Sequence, residues 1–381
     1  MKLVIHDLKS EEWEKIAQDY PDSVTVTDNG KIRPCVGCFC CWHKTPGQCI
    51  VRDGYENMGS LVHQAEEIIV ISRYTYGGFS GFIKNVFDRC LAYVLPHFEI
   101  VNGETHHKKR YDEDKPFTFI FYGHDLNDEE KESARSYVQA VCNNFRAHVK
   151  EVIFKETEAV PSVRTQEQEE DSGKIVLLNV SMRSVKANSF RLAGKLAELL
   201  DGEPVIIHLQ EYLNKLSDLL EILNDASVIV LCTPLYVDGL PSQLIRLLER
   251  FRQDYRGKRK KIYLLANMGL YESRQLHNLF NSVRQWCDDM LFEYCGGLGI
   301  SAGELIGGLM QVVPFRKGPS KKVAEGTKRL ADAINERSRI ADIYEEPYLF
   351  PRWLYIQIAN RGWNQSARSN GIKSEDLYRR M

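Results

Sequence analysis

The chain has 381 residues and a formal net charge of −2, with 43% apolar and 27% charged residues. This length is enough for two domains, and the composition is that of a globular protein rather than a disordered one. The near-neutral charge gives no electrostatic case for binding nucleic acid or an anionic membrane surface, so we expect a small-molecule partner. No apolar run approaches the length of a membrane span, and the early charged residues are unlike a signal peptide. These features predict a cytoplasmic protein without a membrane span.

The first part of the chain, residues 1–155, alternates apolar segments with amphipathic ones. Continuous apolar strands separated by amphipathic helices predict a parallel sheet covered on both faces, which is a doubly wound α/β domain. The predicted strands lie at residues 3–6, 23–27, 68–72, 117–121 and 149–154.

The same plan begins again after a polar, acidic segment at residues 156–173, which predicts a linker. The predicted strands of the second domain, residues 174–315, lie at 174–180, 204–208, 227–232, 261–267 and 293–298. ISRYTYGGFSGFIKNVFDRC in the first half also aligns with VLCTPLYVDGLPSQLIRLLERF in the second. We therefore predict two tandem five-stranded domains formed by duplication, followed by an aromatic-rich helical extension at 316–381.

A polar loop follows the first strand of the second domain. The sequence NVSMRSVKANS joins this strand to an amphipathic helix, where free backbone N–H groups and the helix dipole favour an anion. The loop therefore predicts a phosphate site, although an ordinary strand–turn–helix with Asn188 or Ser189 as the helix N-cap is the alternative. The candidate phosphate-binding side chains are Ser181, Arg183, Lys186, Asn188 and Ser189.

Two more loops should meet the phosphate loop, because ligands of doubly wound sheets bind beyond the carboxyl ends of the strands. They are TPLYVDGLP and MGLYES, which offer backbone N–H groups, glycines and tyrosines. A phosphate site beside aromatic surface suits a flat ring on a phosphorylated tail, and flavin mononucleotide (FMN) is such a molecule. The candidate ring-binding residues are Thr233, Pro234, Leu235, Tyr236, Val237, Asn267 and Gly269, with Tyr76 from the first half.

The ten cysteines are unevenly distributed, since five lie within residues 35–49 and the others are scattered among apolar neighbours. The spacing Cys35-x2-Cys38-x2-Cys41-x7-Cys49 suits an iron–sulfur cluster or zinc, because both prefer thiolate ligands. The alternative is a hydrophobic loop without a metal, and Cys40 is expected to be a bystander. A histidine-rich segment at 93–111 predicts a substrate-facing or interface loop.

Together these motifs resemble the flavodoxin-like NAD(P)H-dependent FMN reductases, a family that includes the iron–sulfur flavoproteins. The resemblance rests on NVSMRSVKANS, on the two aligned loop-and-helix segments, and on CVGCFCCWHKTPGQCIVRDG as the family's Cys loop. It implies FMN as cofactor, NAD(P)H as reductant and a [4Fe-4S] cluster or a cluster-free Cys loop. The first half departs from the pattern, because HDLKSEEW lacks a phosphate cradle. The resemblance therefore implies one FMN, held in the second half.

The sequence thus predicts an FMN-dependent oxidoreductase that passes hydride from NAD(P)H to the flavin and electrons on to a small-molecule acceptor. No catalytic acid or base is assigned, because the cofactor carries the chemistry. An electron-transfer flavoprotein serving a redox partner protein and a flavin-free scaffold are the alternatives. The sequence leaves open the acceptor, the choice between NADH and NADPH, and a homodimer, in which the family places its flavin at the subunit interface.

Overall fold

The computed structural model describes residues 1–157 and 173–380, together with the backbone of a strand at 166–169. Most of the predicted linker at 156–173 lies outside the described residues. The described residues divide into two compact units, those within Met1–Val160 and Ile356–Met381, and those within Pro161–Tyr355. Each unit is built on its own parallel sheet.

Among the residues that the structure describes, the first unit contains the first seven strands and five complete α-helices. The strands are β1 Lys2–His6, β2 Ser23–Val26, β3 Glu67–Arg73, β4 Val94–Val101, β5 Glu104–Lys109, β6 Pro116–Gly123 and β7 His148–Glu156. The helices are α1 Ser10–Glu14, α2 Cys40–His43, α3 Met58–Gln64, α4 Gly81–Arg89 and α5 Asp128–Phe145.

The sheet of the first unit has the strand order β2-β1-β3-β6-β7. All neighbouring pairs are parallel. Leaving out the β4–β5 pair, this is the order 2-1-3-4-5 of the flavodoxin-like doubly wound fold. Stacked and edge-on phenylalanines fill the space between this sheet and its helices; Phe79, for example, lies 4.8 Å from Phe87 and 5.8 Å from Phe119 between ring centroids.

The histidine-rich segment, predicted to be a substrate-facing or interface loop, forms the antiparallel β4–β5 hairpin. Its histidines are turned inward: burial lowers the pKa of His107 to about 4, so this ring is neutral near pH 7. The C-terminal part of the chain packs against the hairpin, where the backbone N–H of Phe98 donates to Asn360 Oδ1 at 2.7 Å. His97 also hydrogen-bonds to Asn364 at 2.9 Å. This segment is therefore a structural hairpin held by the C-terminal helix.

Within its described residues, the second unit contains eight strands and six complete α-helices, and a further helix begins in it. The strands are β8 Gln166–Glu169, β9 Lys174–Asn179, β10 Val205–His208, β11 Ala226–Pro234, β12 Lys258–Arg259, β13 Lys261–Asn267, β14 Glu293–Ile300 and β15 Ile343–Glu345. The helices are α6 Asn188–Ala197, α7 Leu216–Asn224, α8 Ser242–Asp254, α9 His277–Met290, α10 Gly303–Leu309, α11 Lys321–Asn335 and α12 Arg352–Ser369, which runs on into the first unit.

The sheet of the second unit has the order β10-β9-β11-β13-β14-β15. Its first five strands repeat the 2-1-3-4-5 order, which confirms the predicted architecture of two tandem doubly wound domains. The sixth strand, β15, pairs in parallel with β14 and comes from the segment expected to be a helical extension. Helix α11 also contributes buried side chains, among them Val323 and Leu330, to the core of this unit.

The aligned segments of the two halves form the same tight turn. A pair of backbone hydrogen bonds joins Thr75 to Gly78 in the first unit and Tyr236 to Gly239 in the second. Between them, Tyr76 and Gly77 have φ values of 48° and 82°, and Val237 and Asp238 have values of 38° and 58°. Two successive residues with positive φ define a type I′ turn in each unit. None of the described helices combines the length and apolar character needed to cross a membrane.

We predict that Gly296→Ala lowers the midpoint of urea unfolding. Gly296 has φ +97°, and an added Cβ would overlap the carbonyl oxygen of Ile340, so strain and overlap act together. We expect a loss of about 2 kcal/mol or more. Gly194→Ala is the control, since Gly194 lies within α6 with open space around it and alanine there should stabilise by about 0.5–1 kcal/mol. Equal midpoints for the two variants would contradict this description.

Candidate functional site

The carboxyl ends of three neighbouring strands of the second sheet carry the loops that the sequence singles out. These strands are β9, β11 and β13, and they are adjacent in the order β9-β11-β13. In doubly wound folds this edge of the sheet is where ligands bind.

The loop between β9 and α6 ends in an uncapped helix N-terminus. Ala187, in extended conformation with φ −78° and ψ 146°, is the N-cap, rather than Asn188 or Ser189. Alanine has no side-chain oxygen, so the first N–H groups of α6 receive no capping bond. The N-cap is therefore neither Asn188 nor Ser189, and N–H groups without a capping side chain at a helix N-terminus favour an anion.

The polar side chains of this loop divide into a buried and an exposed set. Ser181 and Ser189 are buried. The hydroxyl of Ser181 accepts a hydrogen bond from the backbone N–H of Arg183 at 3.3 Å. Arg183 and Lys186 lie at the surface, while Asn188 is half-buried. The structure thus places the five predicted phosphate-binding residues around one helix N-terminus, with the two cations on the solvent side.

Asn267, at the end of β13, joins the three loops. Its buried Nδ2 donates to Ser189 Oγ at 2.8 Å and, more weakly, to the carbonyl oxygen of Thr233 at 3.5 Å. The backbone carbonyl oxygen of Asn267 accepts from the backbone N–H of Leu235 at 2.8 Å. One amide therefore fixes the phosphate loop against the loop that follows β11.

The loop after β11 leaves part of its surface open. Residues 234–237 are half-exposed, whereas Asp238 and the residues that follow it are buried. Gln243, in the first turn of α8, donates from Nε2 to the carbonyl oxygen of Val180 at 3.3 Å. Its buried Oε1 has no hydrogen-bond partner among the described residues. An unsatisfied acceptor thus lies where the phosphate loop begins.

The third loop, residues 268–273, is covered by the first turn of α12 and by the segment just before it. The hydroxyl of Tyr355 donates to the carbonyl oxygen of Gly269, and that of Tyr271 donates to the carbonyl oxygen of Phe350 at 2.5 Å. Arg352 pairs with Glu272 at 2.7 Å. The sequence predicted an aromatic-rich helical extension here, but nothing in it showed that the extension packs on this loop.

The first unit has no comparable phosphate loop. Only residues 7–9 separate β1 from α1, whereas residues 180–187 separate β9 from α6. The Asp7 carboxylate lies at this edge and accepts from the backbone N–H of Arg73 at 3.1 Å and from the hydroxyl of Tyr122 at 2.9 Å. Burial raises the pKa of Asp7. An internal carboxylate is therefore held at the edge where the second unit has an open helix end.

Tyr76 belongs to the first unit, where it is buried in the type I′ turn. Its predicted contact with a ligand in the second unit stays a prediction.

The Cys loop is a compact segment of the first unit. Cys35, Cys38, Cys40, Cys41 and Cys49 are free thiols. Burial raises the pKa of Cys35 to about 12 and that of Cys41 well above its ordinary value, and the neighbouring thiols add to both shifts. In the described part of the chain no group of three or more His, Cys, Asp or Glu side chains is arranged to hold a metal ion. The four predicted cluster ligands are thus near one another without forming a ligand set.

An ion pair and an aromatic cluster hold this loop in place. Arg89 pairs with Asp53 at 2.8 Å, and both side chains are buried. Trp42 is buried, and its ring lies 5.3 Å from Phe39 and 5.2 Å from Trp363 of α12 between centroids. The loop is therefore anchored by packing that needs no metal.

Comparison with protein-family models and with curated proteins finds no match to this sequence. Among solved structures, the Trp repressor binding protein from Bacillus subtilis has 21% identity and a TM-score of 0.28, over 33% of this chain and 81% of that chain. A flavone reductase has 16% identity and a TM-score of 0.32, over 44% of this chain and 66% of that chain. An FMN-dependent NADH-azoreductase from Bacillus anthracis, solved with FMN, has 11% identity and a TM-score of 0.31, over 44% and 99%. The fold assignment rests on the strand order rather than on these weak likenesses.

We predict that Asn267→Asp lowers the thermal midpoint of the protein and loosens the phosphate loop. The substitution removes the donor to Ser189 and places a carboxylate in a buried position, which costs about 1–3 kcal/mol. Asn214→Asp, at an exposed position of the same unit, is the control. Circular dichroism measures the midpoints, and amide hydrogen exchange measures the loop. Unchanged exchange in residues 180–190 of the Asn267 variant would contradict the role assigned to this side chain.

We also predict that Cys35 and Cys41 react slowly with iodoacetamide at pH 8. The pKa of Cys35, raised to about 12, leaves a thiolate fraction at pH 8 roughly a thousandfold below that of an ordinary cysteine, and the raised pKa of Cys41 acts in the same direction. Mass spectrometry of native and guanidinium-unfolded protein compares the rates, and iron and zinc analysis of the same sample shows whether a metal protects the thiols. Equal rates in the native and unfolded protein would contradict the burial of these sulfurs.

Proposed function

We propose that this protein is an FMN-dependent oxidoreductase whose second unit, within the predicted domain 174–315, holds one FMN. The observation that carries the proposal is the uncapped N-terminus of α6, which Asn267 ties to the other loops at the same edge of the sheet. An anion site beside half-exposed loop backbone suits a ligand with a phosphate at one end and a flat ring at the other.

The donors present match the needs of such a ligand. A phosphate would be held by the first N–H groups of α6 and by the predicted side chains Ser181, Arg183, Lys186, Asn188 and Ser189. The half-exposed residues Pro234–Val237, together with Thr233, Asn267 and Gly269, would position the ring, and Tyr76 remains a candidate from the first unit.

When bound, FMN would supply the redox chemistry, accepting hydride from NADH or NADPH and returning electrons to a small-molecule acceptor. The protein's own contribution would be to bind and orient. Asn267 fixes the spacing between the phosphate loop and the ring-side loop. The type I′ turn at residues 236–239 holds the backbone at Tyr236 and Val237 in one conformation. No side chain is assigned as a catalytic acid or base.

The proposal limits the chain to one FMN, because the Asp7 side chain, hydrogen-bonded to Arg73 and Tyr122, occupies the corresponding edge of the first unit. The shared strand order and the shared type I′ turn support an origin of the two units by duplication. In this proposal the first unit has kept the fold and lost the phosphate loop. An iron–sulfur cluster at Cys35, Cys38, Cys41 and Cys49 is not required.

We predict that NADH or NADPH bleaches the flavin absorbance of the purified, FMN-reconstituted protein in the absence of oxygen. We also predict that Arg183→Gln weakens FMN binding about tenfold. Lys195→Gln, in α6 and away from the loop, is the matched control. Quenching of flavin fluorescence measures affinity, and the anaerobic visible spectrum with iron and sulfide analysis measures reduction and cluster content. A wild-type protein that ignores FMN would refute the proposal, whereas FMN binding without a reaction with either nucleotide would favour an electron carrier.

A further inference from the structure

The phosphate loop carries an ion pair that its proposed role does not use. Arg183 Nη1 lies 3.2 Å from Glu304 Oε1, and the side chains are 38% and 55% exposed. Glu304 lies in the first turn of α10, in a different segment from the loop. A negative side chain is thus paired with a cation that faces an anion site.

The position of Glu304 is fixed by close packing of α10. An added Cβ at Gly307 would overlap Oδ1 of Asn188, and one at Gly303 would lie 3.0 Å from Oδ1 of Asn267. The backbone N–H of Gly303 also donates to the carbonyl oxygen of Met268 at 2.7 Å. Helix α10 therefore packs directly against two residues of the candidate site, and its first turn brings the Glu304 carboxylate to the loop.

We propose that the Glu304 carboxylate competes with the phosphate of FMN for Arg183. When FMN binds, Arg183 gives up its ion pair with Glu304 and pairs with the phosphate. This inference rests on the proposed function, since it assigns to Glu304 the control of affinity at the same site. The ligand group recognised is a phosphate monoester. Glu304 makes the chain bind FMN more weakly than its donors alone would allow, and it has no effect on a flavin without phosphate.

The exposure of the pair explains why the exchange is feasible. Solvent-exposed carboxylate–guanidinium pairs are weak, because water screens the charges and both side chains lose freedom. A phosphate near neutral pH carries more charge than a carboxylate and has three acceptor oxygens, so it is the stronger partner for arginine. The carboxylate must be displaced at a small cost, and its charge also repels the incoming phosphate.

We test the inference with Glu304→Gln, which keeps the size of the side chain and removes its charge. We expect it to tighten FMN binding about three- to tenfold at low salt, with a smaller effect at high salt, and to leave riboflavin binding unchanged. Glu198→Gln is the matched control, because Glu198 pairs with Lys195 on α6 at 2.7 Å with similar exposures of 61% and 34%. Thermal midpoints show whether each variant is folded.

The double variant separates competition from a general effect of charge. When Arg183 is already glutamine, the Glu304 substitution should change FMN affinity less than it does in the wild-type protein. If the ion pair were purely structural, Glu304→Gln would lower the thermal midpoint and leave the ratio of FMN to riboflavin affinity unchanged.

The outcomes distinguish the two proposals. If the wild-type protein binds FMN and Glu304→Gln binds it no better, or if riboflavin gains as much as FMN, the competition is refuted and the flavin site stands. If the wild-type protein and Glu304→Gln both fail to bind FMN, the proposed function itself is refuted.

Discussion

The candidate site depends on the side chain of Asn267. A buried amide must find hydrogen-bond partners, because an unpaired polar group in a protein interior costs about 1–3 kcal/mol. Asn267 finds them in the hydroxyl of Ser189 in α6 and in the backbone carbonyl of Thr233 near the end of β11. The requirement to satisfy one amide therefore brings together an open helix N-terminus and the half-exposed loop that would face a ring, although the two are far apart in sequence.

The carboxyl edges of the two sheets differ, because only the second unit has this open helix N-terminus beside its loops. In the second unit, residues 180–187 form a loop long enough to leave the start of α6 uncapped. In the first, α1 follows β1 almost at once, and the Asp7 carboxylate is held by Arg73 and Tyr122. One edge offers N–H donors to an anion, and the other is occupied by the Asp7 side chain. A shared fold thus does not imply a shared ligand.

Much of this architecture could be predicted from the sequence, because apolar strands alternating with amphipathic helices specify a doubly wound sheet. The polar loop after β9 was also visible as a strand–helix junction. Other features depend on contacts distant in sequence and leave no local pattern. Helix α10 meets Asn188 through Gly307, Tyr355 reaches Gly269, and β15 adds a sixth strand. The uncapped N-terminus of α6 could not be predicted for a different reason, because Asn188 and Ser189 are themselves residues that commonly cap helices.

The central claim is that the chain has one phosphate-anchored flavin site, in its second unit. Calorimetric titration of the purified full-length protein with FMN tests it most directly, with and without inorganic phosphate as a competitor. We predict one FMN per chain and an affinity that falls as inorganic phosphate is added. Two FMN molecules per chain, none, or an affinity that does not respond to phosphate would contradict the claim.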